Sequence, residues 1–190
     1  MEPEIRRVVV GPIGTCCYVL SLPGRTDCAV IDPGGEPERV RAAAQGRQIA
    51  AILLTHGHFD HIGAVGALTS PSTALVVHEA DAPLLGDPEQ NASWLLGEAV
   101  VAPAPTRLVR DGDEIDCAGL RLTVLHTPGH TPGSVCYRLG DALFTGDTLF
   151  AGGGYGRTDL PGGSMTALRA SLRRLAPIVA ACAVYPGHGG

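Results

Sequence analysis

Apolar residues fall along this chain in short runs closed by Gly, Pro or Asp, a pattern that predicts many buried strands joined by tight turns. Strands are expected near residues 5–10, 16–22, 26–32, 49–54, 73–78, 120–126, 134–139, 142–145 and 181–185. Helical spacing is expected near 36–45, 61–69, 89–97 and 164–175. Each half of the chain therefore reads as strands followed by helices laid on a sheet. The least regular stretch, Asp87 to Thr106, holds Trp94-Leu95-Leu96 and then Ala102-Pro103-Ala104-Pro105. It is expected to pack as an outer helix and connector; the alternative is a lid lining a pocket, since long irregular connections are often functional. No short-period repeat or low-complexity tract interrupts the pattern.

The punctuation between these runs carries the chemistry. After Ile52-Leu53-Leu54, the segment Thr55-His56-Gly57-His58-Phe59-Asp60-His61 places three imidazoles and a carboxylate on a strand-to-helix loop, where functional groups are usually mounted. Burying these groups together without a cation would leave each with an uncompensated desolvation cost. Neutral imidazole is the commonest metal ligand, so the run reads as part of a metal site. Three further segments supply one group each: Thr127-Pro128-Gly129-His130-Thr131-Pro132-Gly133, Phe144-Thr145-Gly146-Asp147-Thr148, and Tyr185-Pro186-Gly187-His188-Gly189. A lone His or Asp beside a turn is more often a local hydrogen-bonding residue. Following the first run, they read as its partners. Nitrogen and carboxylate donors without thiolate suit Zn²⁺, Fe or Mn²⁺.

The order T-H-x-H-x-D-H, P-G-H-T-x-G, G-D and P-G-H-G resembles the metallo-β-lactamase superfamily of metallohydrolases, from about Val10 to Gly190. The resemblance implies an α/β (α+β) fold, a four-layer αββα sandwich with two divalent metals at one sheet edge, Zn²⁺ first among the candidates. It implies a first metal site of His56, His58, His130 and Asp147, and a second of Asp60, His61, His188 and the shared Asp147. Asp32-Pro33-Gly34-Gly35 and the stretch Gly156 to Gly163 make the chain most similar to glyoxalase II, the hydroxyacylglutathione hydrolases, in their short single-domain form. That likeness implies hydrolysis of a small acyl thioester by a hydroxide held between the metals, with Asp60 as second-site ligand and as the group orienting the nucleophile. Persulfide dioxygenases of the same superfamily hold one iron by two histidines and an aspartate, matching His56, His130 and Asp147. A dioxygenase is thus an alternative, beside a lactonase or lactamase and a non-catalytic metal-binding protein.

Composition narrows the partners. A chain of 190 residues, 45% of them hydrophobic, is long enough to bury about 70% of its unfolded surface, so residues 1–190 are expected to form one domain. Long-form glyoxalase II enzymes carry a C-terminal helical segment that helps hold glutathione; this sequence runs two residues past His188, so the likeness reaches the metal site more directly than a glutathione subsite. Met1 to Arg7 lacks an apolar run of signal length, and no stretch approaches the roughly 20 apolar residues of a membrane span, so a cytoplasmic protein is expected. A net charge of −5 and the lack of a basic run argue against nucleic acid. The expected partner is a small acyl thiol; oligomeric state is not legible.

The six cysteines form no C-x-x-C pair and read as reduced and structural. Cys16, in Thr15-Cys16-Cys17, is the candidate reactive thiol if its turn borders the site. Arg157 is a candidate to pair with a substrate carboxylate through its planar fork, the alternative being an ion pair with Asp159. Tyr155, within Gly152-Gly153-Gly154-Tyr155-Gly156, is a second candidate for substrate binding. His78 ends a strand without a ligand motif and reads as structural or supporting.

Overall fold

The computed structural model describes residues 2–189; Met1 and Gly190, the ends of the expected domain, lie outside them. The first sheet runs through β1 (Glu4–Val10), β2 (Thr15–Ser21), β3 (Asp27–Ile31), β4 (Gln48–Leu53), β5 (Ala74–His78) and β6 (Arg107–Val109), in that spatial order. β1, β2 and β3 are antiparallel neighbours; β3 to β6 are parallel. The second sheet has the order β11-β10-β9-β8-β7, from β7 (Glu114–Cys117), β8 (Leu120–His126), β9 (Val135–Leu139), β10 (Ala142–Gly146) and β11 (Ala183–Pro186). Only the β10/β11 pair is parallel.

The alternation of side chains along each strand explains how two sheets become four layers. In β2, Cys16, Tyr18 and Leu20 face a core shared with Leu122, Val124, Tyr137 and Phe144 of the second sheet. The intervening Cys17 and Val19 face the other way, into a core with Val40, Ala44, Ile62 and Val65 from the helices. Those helices are α1 (Pro37–Ala44), α2 (Phe59–Ile62) and α3 (Val65–Leu68). On the far side, Cys136 and Leu143 pack on Leu175 of α4 (Met165–Val179). A strand covered on both faces reads as a near-continuous apolar run, and β2 is buried throughout and apolar from Cys16 to Leu20. The expected αββα sandwich is the observed one.

Four expectations change. The helix expected over 61–69 is two short ones, α2 and α3, because the chain breaks at Gly63-Ala64, where Gly63 packs on the Gly34 carbonyl and Ala64 N–H donates to Pro33 O. The helix expected over 89–97 is a single 3₁₀ turn at Ser93–Leu96, since Asn91 donates its side-chain amide to Leu84 O and Val100 O and holds the segment irregular. β6 and β7 were not expected: each has one fully buried apolar residue, Val109 or Ile115, too few to show a period. Finally, α4 continues four residues past its expected end, through Pro177.

Candidate metal centre

Strands β3, β4, β8, β10 and β11 bring their carboxyl ends to one edge, and the metal-type side chains lie just beyond those ends, Asp60 and His61 on α2 after β4. Asp32 follows β3, His56 and His58 follow β4, His130 follows β8, Asp147 follows β10 and His188 follows β11. This is where open α/β sheets place ligands. Four cross-sheet hydrogen bonds pin the two edges together: Val135 N to Thr55 O (2.8 Å), Cys16 N to Gly187 O (2.7 Å), Tyr137 Oη to Leu54 O (2.8 Å) and Tyr18 Oη to Pro186 O (2.7 Å).

Three triads of donor atoms converge: His56, His58 and His130; His56, His61 and Asp147; and Asp60, His61 and His188. Within the first, Nδ1 of His58 lies 2.9 Å from Nε2 of His130. Asp147, of the second triad, reaches the first and the third. Its Oδ2 is 3.5 Å from His130 Nε2 and 3.6 Å from His188 Nε2, and its Oδ1 is 3.5 Å from His61 Nε2. Oδ2 of Asp60 gathers His188 Nε2 at 3.1 Å, His61 Nε2 at 3.2 Å and the Thr15 hydroxyl at 2.8 Å. All seven residues are thus in one cluster, with Asp147 in reach of both halves. Close backbone approach makes this possible: a Cβ at Gly187 would meet Asp147 Oδ1 and a Cβ at Gly156 would meet the Asp147 carbonyl.

The cluster fits a cation pair on its own chemistry. Nε2 of His56, Nε2 of His61 and Oδ1 of Asp147 are buried with no hydrogen-bond partner, a cost that coordination would remove. Burial and the neighbouring imidazoles push His56 well below the ordinary histidine range, and burial with His130 pushes His58 down to about 3. Both are neutral, as ligands must be. Burial opposes ionisation of Asp60 and Asp147, but the surrounding histidines hold both carboxyls below their usual range. His61 is also disfavoured by burial, yet Asp60, Asp32 and Asp147 raise it. The His/Asp cluster is able to hold two metal ions.

Supporting contacts set the orientation of the rings. His130 Nδ1 donates to Arg157 O at 2.7 Å, which leaves Nε2 as the lone-pair nitrogen facing the cluster. Oδ2 of Asp32 lies 2.9 Å from His61 Nδ1 and accepts the Thr55 hydroxyl, while Oδ1 accepts Thr55 N–H. Asp81, which the sequence reading passed over, is fully buried and joins the two histidine loops. Its Oδ2 accepts Gly57 N–H (2.9 Å) and the Thr131 hydroxyl (2.7 Å), and its Oδ1 accepts Gly133 N–H (2.6 Å). Nothing in His78-Glu79-Ala80-Asp81 advertises this; only an Asp at the carboxyl end of a parallel strand could have hinted at it.

An open cleft of about 450 Å³ leads to the cluster, lined by His58, Asp60, His130, Asp147 and His188 at its floor. Leu95 and Leu96 line it too, so the 87–106 stretch contributes a wall, not the outer helix expected. Arg157 lines the cleft, but its guanidinium is held by Asp159 through two 2.7 Å bonds. Tyr155 is half-exposed and is not among the lining residues, although its neighbour Gly156 is. Cys16 borders the site yet is buried beside Gly189, and its neighbour Thr15 makes the contact to Asp60; burial is the setting of an inert thiol. His78 lies outside the cluster, stacked on His126 with ring centroids 4.0 Å apart. No helix among the described residues is long and apolar enough to cross a membrane.

The family model described as Metallo-beta-lactamase superfamily matches residues 10–188. A probable metallo-hydrolase of Bacillus subtilis is 37% identical over 191 residues, covering 97% of this chain and 89% of that one. A hydroxyacylglutathione hydrolase of Aeromonas salmonicida is 37% identical over 187 residues, covering 95% of this chain but 64% of the longer enzyme. Among solved structures, the B3 metallo-beta-lactamase BLEG-1 superposes with a TM-score of 0.91 at 36% identity, covering 98% of this chain and 92% of that one. TTHA1623 in a di-iron-bound form gives 0.85 at 38%, covering 97% and 92%. ETHE1 from Myxococcus xanthus gives 0.75 at 31%, covering 98% and 76%.

Proposed function

The chain belongs to the metallo-beta-lactamase superfamily, whose members are mostly metal-dependent hydrolases, and from that premise we propose that it is a dinuclear hydrolase of a small acyl thioester. The observation that carries the dinuclear reading is Asp147 lying between two triads of donors. The thioester reading is supported by the 37% identity to a hydroxyacylglutathione hydrolase over nearly the whole of this chain. Zn²⁺ is the metal proposed first; the donor set equally admits Fe, and a neighbour of similar sequence binds two irons.

His56, His58 and His130 with Asp147 would hold one ion, and Asp60, His61 and His188 with the same Asp147 the other. When bound, such ions supply Lewis acidity, which brings the pKa of water to about 7 and polarises a carbonyl. The chain does the rest. Asp60, held at Oδ2 by the Thr15 hydroxyl, orients the attacking water. Asp32 Oδ2 places negative charge 2.9 Å from His61 Nδ1, and Arg157 O, accepting from His130 Nδ1, holds the His130 ring in place. The apolar walls seat the acyl thiol above the cluster.

Elemental analysis of protein purified without added metal, with a thioester hydrolysis assay on the same sample, tests this. Close to two metals per chain with turnover supports the proposal. One iron per chain, silence on thioesters and oxygen uptake with a thiol persulfide would replace it with a mononuclear dioxygenase.

A further inference from the structure

We propose that the cleft above the metal centre selects a thioester whose bulk is apolar and uncharged, and disfavours one built on an anionic thiol; this deepens the thioesterase reading and rests on it. Apart from the ligands at the floor, the lining is Ile13, Phe59, Leu95, Leu96, Phe150 and Leu160, with Gly156 and Arg157. Two of these are apolar side chains left open to water, Ile13 at 52% and Leu95 at 47% exposure. Trp94, beside Leu95 on the same 3₁₀ turn, is 55% exposed but lines a neighbouring depression with Pro88 and Glu98. A rim that keeps large apolar groups in water marks a surface that something apolar covers.

The charge on the walls points the same way. Among the described residues Arg157 is the one Arg or Lys lining the cleft, and its Nε and Nη2 donate to Asp159. A substrate carboxylate could take the bidentate Nε–Nη2 edge only by displacing Asp159, so the pair offsets the positive charge of that wall. Positive charge would then reside at the floor, where the scissile carbonyl is taken up, and not along the path of the substrate's remainder. The volume, about 450 Å³, lies in the ordinary range for small-molecule sites.

The apolar bulk can belong to the acyl chain or to the thiol, and two substrate series separate them on metal-loaded full-length protein. One lengthens a straight acyl chain on a single small neutral thiol; the other lengthens an alkyl thiol carrying a constant acetyl group. In one series kcat/KM should rise about three- to fourfold per methylene until the cleft is filled. Lactoylglutathione should fall well below the better members of that series. Non-hydrolysable thioethers of the same chains, titrated calorimetrically, should show the same length dependence in Kd.

Leu95→Asp and Ile13→Asp replace exposed side chains and should flatten the length dependence. Asp159→Asn frees the guanidinium and should shift the anionic-to-neutral substrate ratio about two- to fivefold toward the anionic one, the range of an exposed ion pair. Flat series with lactoylglutathione preferred would overturn the apolar proposal while leaving the hydrolase standing. Length-dependent thioether binding with no thioester turned over would instead remove the thioesterase reading and keep the apolar site. Neither turnover nor thioether binding would remove both.

Discussion

Removing the Asp81 carboxylate should loosen the metal centre without touching a ligand. In Asp81→Ala three donors lose their acceptor: Gly57 N–H, Gly133 N–H and the Thr131 hydroxyl. The hydroxyl has a second partner, Ser134 Oγ at 2.7 Å, and can turn to it. The two backbone N–H groups have no such recourse, and each orphaned buried donor costs about 1–3 kcal/mol. Against this, burial itself pushes the Asp81 carboxyl up, so its removal relieves some desolvation. A net loss of about 2–4 kcal/mol is expected, less than the roughly 5–15 kcal/mol stability of a typical domain, so the variant should still fold. Asp81→Asn, which must turn an amide NH₂ toward one of the N–H groups, should cost about 1–3 kcal/mol. The loops joined by Asp81 carry His56 and His58 on one side and His130 on the other, so affinity at that triad should fall about 10- to 100-fold. Urea denaturation and chelator competition read the two effects. An Asp81→Ala protein with wild-type stability and wild-type affinity for both metals would refute the reasoning.

Asp60→Asn should lose the metal of the Asp60, His61, His188 triad and most turnover; a variant retaining two metals and full activity would show that Asp60 has neither role. Gly34→Ala would drive a Cβ into the Asp60 carbonyl, so the loop carrying Asp60 must shift, and a loss of about 1–3 kcal/mol in urea denaturation is expected. An unchanged midpoint would mean the loop yields freely. Burial, with the stacked His126, lowers His78 below the ordinary histidine range, against the weaker upward pull of Glu79 and Asp111 and with the downward one of Arg110. Its folded pKa is below its unfolded one, so the unfolded chain binds the extra proton, and this contribution is present above about pH 6.5 and lost as pH falls. His78→Phe should therefore flatten the fall of Tm between neutral pH and pH 5; an identical fall in both proteins would remove His78 as its source.

What is local in this chain can be read from neighbouring residues alone. The spacing of His56, His58, Asp60 and His61 is set within one loop, and the turns around His130, Asp147 and His188 are written in their own Gly and Pro neighbours, so the seven donors were legible as residue types. The long strands were legible because alternation needs only a few successive residues to show, whereas β6 and β7, with one fully buried apolar residue each, carried too little of it. Tertiary structure decided the rest. That Asp81 meets Thr131 fifty positions away, that Asp32 lies against His61, and that Thr15 and not Cys16 touches Asp60 all follow from which strand ends the sheets bring side by side. The same holds for Leu95 and Leu96, whose wall depends on Asn91 pinning the segment to Leu84 and Val100. A ligand can be named from its neighbours in the chain, because metal chemistry selects the side chain. A group that orients a ligand can be named only from its neighbours in space, because a hydrogen bond tests distance and angle and any buried acceptor in the right place will serve.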